Sequence, residues 1–143
     1  MRYLLDTCVV VAALRSRRGA SNQVLRLAFE RVLPIVIHYK LLAEYCSVLA
    51  RAAHLAEIGF TPARLDRFLA AIVTVAEEVS VRYLWRPNLP DEDDNFIYEI
   101  AFAASPCTIV SHNVRDFAAP ELRWPGVVVK TPQLALREVR TDA

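Results

Sequence analysis

Four acidic residues stand at or near the ends of apolar, strand-like runs, and they are the side chains of this sequence best suited to do chemistry. Asp6 follows Arg2-Tyr3-Leu4-Leu5, Glu44 lies beyond Ile35-Val36-Ile37, Asp94 closes Asp91-Glu92-Asp93-Asp94, and Asp116 lies beyond Thr108-Ile109-Val110-Ser111. In an α/β domain the loops after parallel strands converge on one edge of the sheet, so carboxylates remote in sequence can meet there. Carboxylates sharing a pocket repel one another, and a hard divalent cation is the usual partner that makes the cluster tolerable. The chemistry this points to is metal-dependent hydrolysis at phosphate.

For these residues to meet, strands and helices must alternate, and the pattern of the chain does so. Residues 2–5 read as a buried strand, and Asp6-Thr7 caps a helix to about Leu14. Ser21 caps a second helix through Val32; Pro34 stops it, and Ile35-Val36-Ile37 is a second strand. A long helix from about Tyr39 to Leu55 carries Leu42, Tyr45, Cys46 and Leu49 at three- and four-residue spacing, with Glu44 beside that stripe. Thr61-Pro62 starts a helix to about Glu78, and Val79 to Leu84 reads as a third strand. The loop Arg86 to Pro90 delivers the acidic tetrad to a helix containing Phe96, Ile97, Ile100 and Ala101. Cys107 to Val110 is a fourth strand, Asn113 to Phe117 a turn of helix, Val127 to Val129 a fifth strand, and Thr131-Pro132 begins a last helix to about Val139. The expectation is one α/β domain over residues 1–143, a three-layer α/β/α sandwich with a central, mostly parallel sheet.

Composition narrows the class. At 143 residues and 55% hydrophobic, the chain is long enough and apolar enough to bury a core, which excludes extensive disorder. A net charge of +1 offers no global attraction for nucleic acid, although all 17 basic residues except Lys40 and Lys130 are Arg, the side chain suited to bidentate phosphate contacts. Cys8, Cys46 and Cys107 lie among apolar residues without metal-ligand spacing and read as reduced thiols of a cytoplasmic protein. The apolar run Leu4 to Leu14 is interrupted by Asp6 and preceded only by Arg2, so it makes a poor signal peptide, and no segment approaches the ~20 apolar residues of a membrane span.

Four segments, in order, resemble the PIN-domain family, metal-dependent ribonucleases that include toxins of the VapC type. They are Leu5-Asp6-Thr7-Cys8-Val9, Leu42-Ala43-Glu44-Tyr45, Asp93-Asp94-Asn95-Phe96 through Ala101, and Ile109-Val110-Ser111-His112-Asn113-Val114-Arg115-Asp116-Phe117. The resemblance implies that Asp6, Glu44 and Asp94 bind one or two Mg²⁺ or Mn²⁺ ions, with a fourth contribution from Asn113 or Asp116. It further implies an RNA substrate, a small antitoxin that covers the pocket, and a homodimer by family analogy. Two positions depart from the family's pattern: Cys8 stands where Asn is frequent, and Asn113 where many members have Asp. Ser111 can hydrogen-bond a carboxylate, a water or the phosphate, and Arg15, Arg17, Arg18, Lys40 and Arg115 are candidate phosphate contacts on the same sheet edge.

Each residue also has a plainer reading. Asp6 can be a helix cap, Glu44 part of an exposed face, and one or two of residues 91–94 simple first-turn acids. His38, His54 and His112 have no zinc-ligand spacing, and His112 reads as a loop residue rather than a general base. Trp85 and Trp124 read as packing residues rather than base-stacking ones. A receiver-like regulatory domain would also gather acids at strand ends, yet it leaves Glu44 and Asp94 unexplained. The remaining alternative is a catalytically silent PIN-like scaffold that binds RNA or protein, to which Cys8 and Asn113 would point.

Overall fold

Tyr3, Leu4 and Leu5 are all buried, as a strand covered on both faces requires, and they place β1 (Arg2–Leu5) in the middle of the sheet. The computed structural model describes residues 1–81, 92–117 and 125–142, with the side chains of 92–95, 116 and 142 outside that description. β1 pairs in parallel with β4 (Cys107–Val110), whose four residues are buried, and β4 pairs in parallel with β5 (Val127–Lys130). On its other side β1 meets the chain just before β2 (Val36–Ile37), through a parallel bridge between Tyr3 and Ile35 and a 2.8 Å bond from the Tyr3 N–H to the Pro34 carbonyl. β2 in turn pairs in parallel with β3 (Glu77–Glu78). The strands therefore run β3-β2-β1-β4-β5, all parallel. Strand order reverses at the β1–β4 boundary, and a crevice forms beyond the carboxyl ends of strands at such a switch.

The helices flank this sheet, which is the expected α/β architecture. They are α1 (Thr7–Arg15), α2 (Ala20–Phe29), α3 (Tyr39–Leu49), α4 (Ala52–Ile58), α5 (Pro62–Val75), α6 (Glu92–Ala103) and α7 (Pro132–Asp142). α1 packs on α2 and α3, α2 on α5 and α7, and α6 on β4 and β5. Val9, Val10 and Val24, together with Leu41, Leu49 and Ile72, meet the strand residues in one continuous core. No helix among the described residues is long and apolar enough to cross a membrane.

Three sequence expectations need correction. The helix expected from Tyr39 to Leu55 is two: α3 ends at Leu49 with Ala50 as its C-cap, Arg51 leaves helical geometry at ψ 133°, and α4 follows. No glycine or proline marks this break. The His54 ring reaches back across it, Nδ1 lying 2.8 Å from the Val48 oxygen, which also accepts the Arg51 N–H at 3.3 Å. The third strand lies at Glu77–Glu78, because α5 ends at Val75 and the Glu77 and Val79 N–H groups bond the Ile35 and Ile37 carbonyls at 2.9 Å; of the expected span Val79 to Leu84, residues 79–81 are not strand and 82–84 lie outside the described residues. Two exposed glutamates suit it, since charge on an edge strand discourages pairing with another sheet. The second helix ends at Phe29, short of Val32, and Arg31 takes a left-handed φ of 61° there. The loop expected at Arg86 to Pro90 lies outside the described residues, as do Trp85 and Trp124.

The residue after β2 is built into the start of α3. His38 is buried, and its Nδ1 accepts from the Lys40 N–H at 3.1 Å, an N-cap made by an imidazole in place of the usual hydroxyl or carboxylate. Burial, then the neighbouring Lys40 charge, lowers the His38 pKa below its ordinary 6.5, against a smaller opposing effect of Glu78. A lowered histidine pKa gives stability that is fully present above pH 6.5 and lost as pH falls through the folded value. The thermal midpoint should therefore drop below about pH 6.5, and His38→Asn, which caps without titrating there, should flatten that drop. Scans of both proteins between pH 5 and 8 check this; parallel pH profiles would refute the assignment.

Candidate active site

Asp6 sits at the carboxyl end of β1, where the strand order switches. Its backbone is extended at φ −64° and ψ 150°, while its carbonyl already accepts the Val9 N–H at 2.9 Å, so it is the N-cap of α1. The Asp6 N–H donates to the Val110 carbonyl at 2.9 Å, which keeps the residue tied to the end of β4. Oδ1 accepts from the Thr7 N–H at 2.8 Å and Oδ2 from the Ser111 hydroxyl at 2.7 Å. The residue is only 8% exposed, and no Lys, Arg or His among the described residues pairs with it.

Ser111, the first residue after β4, is fully buried. Its N–H donates to the Lys130 carbonyl at 3.0 Å, and its hydroxyl accepts from the Asn113 N–H at 3.0 Å while donating to Asp6. The hydroxyl is thus held from both sides, and of the partners open to it in sequence it takes a carboxylate. The Cys8 sulfur lies 3.6 Å from Asp6 Oδ2 and 3.8 Å from the Ser111 oxygen, at the long end even for sulfur contacts. Burial first, and the Asp6 charge second, raise the Cys8 thiol above its ordinary 9.0. It stays protonated near neutral pH and is not a nucleophile.

Tyr45 links the β1 end to α3. Its buried hydroxyl donates to the Leu5 carbonyl through a short hydrogen bond. Burial, then the charges of Asp6 and Glu44, push its pKa well above 10, so the phenol remains a donor. The two carboxylates are both felt at this one hydroxyl, and Glu44 itself is half-buried. Sequence periodicity made Tyr45 part of an apolar stripe and gave no sign of this polar role.

The other candidates are placed less centrally. Asp94 lies on the first turn of α6 and Asp116 in the 3-10 turn Val114–Phe117, and both side chains lie outside the described residues. Asn113, on the loop after β4, and Arg115, in that same 3-10 turn, are exposed. Arg15, at the end of α1, pairs with Glu57 at 3.0 Å and lines an open groove of about 520 Å³ with Thr7, Cys8, Val48 and His112. His112 is tied to α2, its Nε2 lying 3.1 Å from the Ser21 hydroxyl oxygen. Sequence reading missed Glu99, 5% exposed on α6; an acid between the buried Tyr98 and Ile100 was its one signal.

Donor chemistry at Asp6 fits a hard cation. A carboxylate has about four lone-pair sites; Thr7 occupies one on Oδ1, and Ser111 with the weak Cys8 contact shares Oδ2, which leaves Oδ1 a site open to a metal. Among the described residues no three His, Cys, Asp or Glu side chains gather closely enough to hold an ion.

Two outcomes follow from this geometry. Ser111→Ala removes a hydrogen bond to a buried carboxylate and should lower unfolding stability by roughly 1–3 kcal/mol in denaturant titrations. Asp6→Asn removes the charge that holds the Cys8 proton, so iodoacetamide should label Cys8 faster at pH 8 in that variant, read by peptide mass mapping. An unchanged labelling rate would show that burial alone controls the thiol.

The sequence matches the family model described as PIN domain (PIN_3) over residues 2–115. No curated protein and no solved structure matches it. PIN domains are generally nucleases that commonly bind divalent metals, and the matched span runs from β1 through Asn113 and Arg115. Asp116 falls one residue beyond it. With a match over most of its length, the chain belongs to the PIN domain family.

Proposed function

We propose that this chain is a Mg²⁺- or Mn²⁺-dependent endoribonuclease acting as a single domain over residues 1–143, and that it is the toxin of a type II toxin-antitoxin pair in the cytoplasm. The observation that carries the reading is Asp6: a buried carboxylate at the β1–β4 switch point, oriented by Thr7 and Ser111 and lacking a cationic partner among the described residues. A carboxylate so placed costs free energy to bury unless something positive completes it. The antitoxin is the partner expected to cover this edge, and a homodimer is the proposed assembly.

In this reading Asp6, Glu44 and Asp94 hold the cation, with Asp116 or Asn113 as the fourth contributor. A divalent cation bound there supplies Lewis-acid polarisation of a phosphate oxygen and acidification of a water near neutral pH. The chain's own residues do the positioning. Thr7 and Ser111 fix the two oxygens of Asp6, and Tyr45 keeps its proton between Asp6 and Glu44. Cys8 retains its proton too, so the described residues put no activated side chain beside Asp6 and water is the attacking group. Ser111 acts on the phosphate indirectly, through Asp6, while the exposed Arg15, held at the surface by its pair with Glu57, and the exposed Arg115 are the proposed contacts to the RNA backbone.

Mn²⁺ should raise the thermal midpoint of the wild-type protein, because it binds the native acid cluster and not the unfolded chain. Asp6→Asn should abolish that increment while leaving the midpoint without metal equal or higher, one repelling charge being gone. Glu44→Gln and Asp94→Asn should each cut RNA cleavage by orders of magnitude and leave RNA binding intact. Normal cleavage by both variants would sink the nuclease reading. A wild type that responds to Mn²⁺ and binds RNA without cutting it would favour the silent scaffold.

The fourth contributor can be identified separately. Hard cations prefer a carboxylate to an amide, so Asp116→Asn should weaken Mn²⁺ affinity or cleavage more than Asn113→Ala. Titration calorimetry and initial rates on both variants decide it. A dead Asn113→Ala beside a near-normal Asp116→Asn would reverse the ranking.

A further inference from the structure

A second cluster stands on the same sheet edge as Asp6, and the metal chemistry does not use it. At the carboxyl end of β2 the ring of Tyr39 lies over that of His38, with centroids 4.4 Å apart and planes inclined by 32°. His38 meets Phe96 of α6 edge-on, at 5.3 Å and 73°, and the Lys40 ammonium stands 5.1 Å from the centre of the Phe96 ring. The group joins the start of α3 to the first turns of α6. Those helices carry Glu44, one helical turn beyond Lys40, and Asp94, two residues before Phe96. Because β2 and β1 run parallel and side by side, this cluster and Asp6 share one edge.

The cluster is rigid underneath and open on top. His38 is buried, and its ring is fixed by the bond from the Lys40 N–H to Nδ1. Tyr39 stacks on that fixed ring yet is 67% exposed, the most open of the large apolar side chains among the described residues. Lys40, also exposed, supplies a positive charge beside it. An aromatic face held in place, with a cation next to it, is the combination that receives an unstacked nucleobase together with its phosphate.

We propose that Tyr39 and Lys40 form a binding platform for single-stranded RNA, with Tyr39 stacking one base and Lys40 contacting the adjoining phosphate, and that it leads the strand toward the edge where Asp6 lies. The proposal rests on the nucleic-acid reading of the family and is independent of cleavage. Stacking on a tyrosine face tolerates any base, so the platform grips the strand without reading its sequence, and a duplex, whose bases are already stacked, gains little from it.

The test uses the full chain in EDTA, where cutting is absent, with fluorescence anisotropy of a labelled single-stranded oligouridylate and of an RNA duplex of equal length. Wild type should bind the single strand more tightly than the duplex. Tyr39→Ala should weaken single-strand binding roughly five- to tenfold, and Tyr39→Phe should restore it. Lys40→Ala should reduce the slope of log affinity against log salt by about 0.7. Circular dichroism confirms that the exposed substitutions leave the fold intact. Tyr39→Ala binding as well as wild type, an equal loss on the duplex, or no binding by wild type would each overturn the platform. Cleavage with Mn²⁺ is scored separately: RNA bound in EDTA and never cut removes the nuclease reading and leaves the platform standing, whereas cutting with unchanged affinity in Tyr39→Ala does the reverse.

Discussion

The placement of one carboxylate governs this edge of the molecule. Asp6 is tied by its backbone to β4 and to the first turn of α1, and by its side chain to Thr7 and Ser111. Those four bonds join the two strands at which the order of the sheet reverses and the helix that leaves from them. Burying an ion there is unfavourable unless every oxygen is satisfied, and the protein meets that requirement with one backbone N–H and one hydroxyl. The positive end of α1 adds to it, since an N-cap carboxylate faces the partial charge of the helix dipole.

Much of this was legible from residue order, and the reason is physical. Parallel strands buried on both faces read as short apolar runs, and each run ending in an acid or a cap residue marks the same sheet edge. Asp6, the β1–α1 junction, β4 and the Thr131-Pro132 start of α7 follow from that rule alone. What the rule misses is set by contacts between elements. The break between α3 and α4 has no local breaker and is accompanied by a His54 contact with Val48, while β3 lies at two glutamates because their backbone, not their side chains, meets Ile35 and Ile37. Glu44 was found by its departure from an apolar stripe, but the Tyr45 bond to Leu5, 40 residues away, leaves no trace in periodicity.

Cys8 is a case where the sequence signal and the structure complement each other. A thiol in place of an amide beside Asp6 would leave the carboxylate loosely oriented if it were the main neighbour, because sulfur donates weakly and at long range. The structure puts Ser111 in that role instead, at 2.7 Å against 3.6 Å for the sulfur. Orientation of Oδ2 therefore comes from the loop after β4, and with it from the Asn113 backbone N–H that fixes the Ser111 hydroxyl, while Thr7 of α1 keeps Oδ1. Asn113 acts on Asp6 through its backbone whatever its side chain does, which separates its structural part from its candidacy as a ligand.

The degree to which Asp6 is already satisfied also bears on how strongly the site needs a cation. A carboxylate with no protein partners would be so costly to bury that the fold would depend on metal, as small structural metal domains do. With two hydrogen bonds and a helix terminus, Asp6 is compensated by the fold itself, and the proposed ion is not needed to hold it in place. Each of those bonds also withdraws electron density that a cation would otherwise use, so affinity has to come from the number of carboxylates and not from Asp6 alone. In the proposed site, repulsion among the carboxylates is the reservoir that metal binding relieves. That division fits the architecture: the residue nearest the sheet is fixed by main-chain bonds, while the other acids ride on α3 and α6, whose approach sets how closely the charges meet.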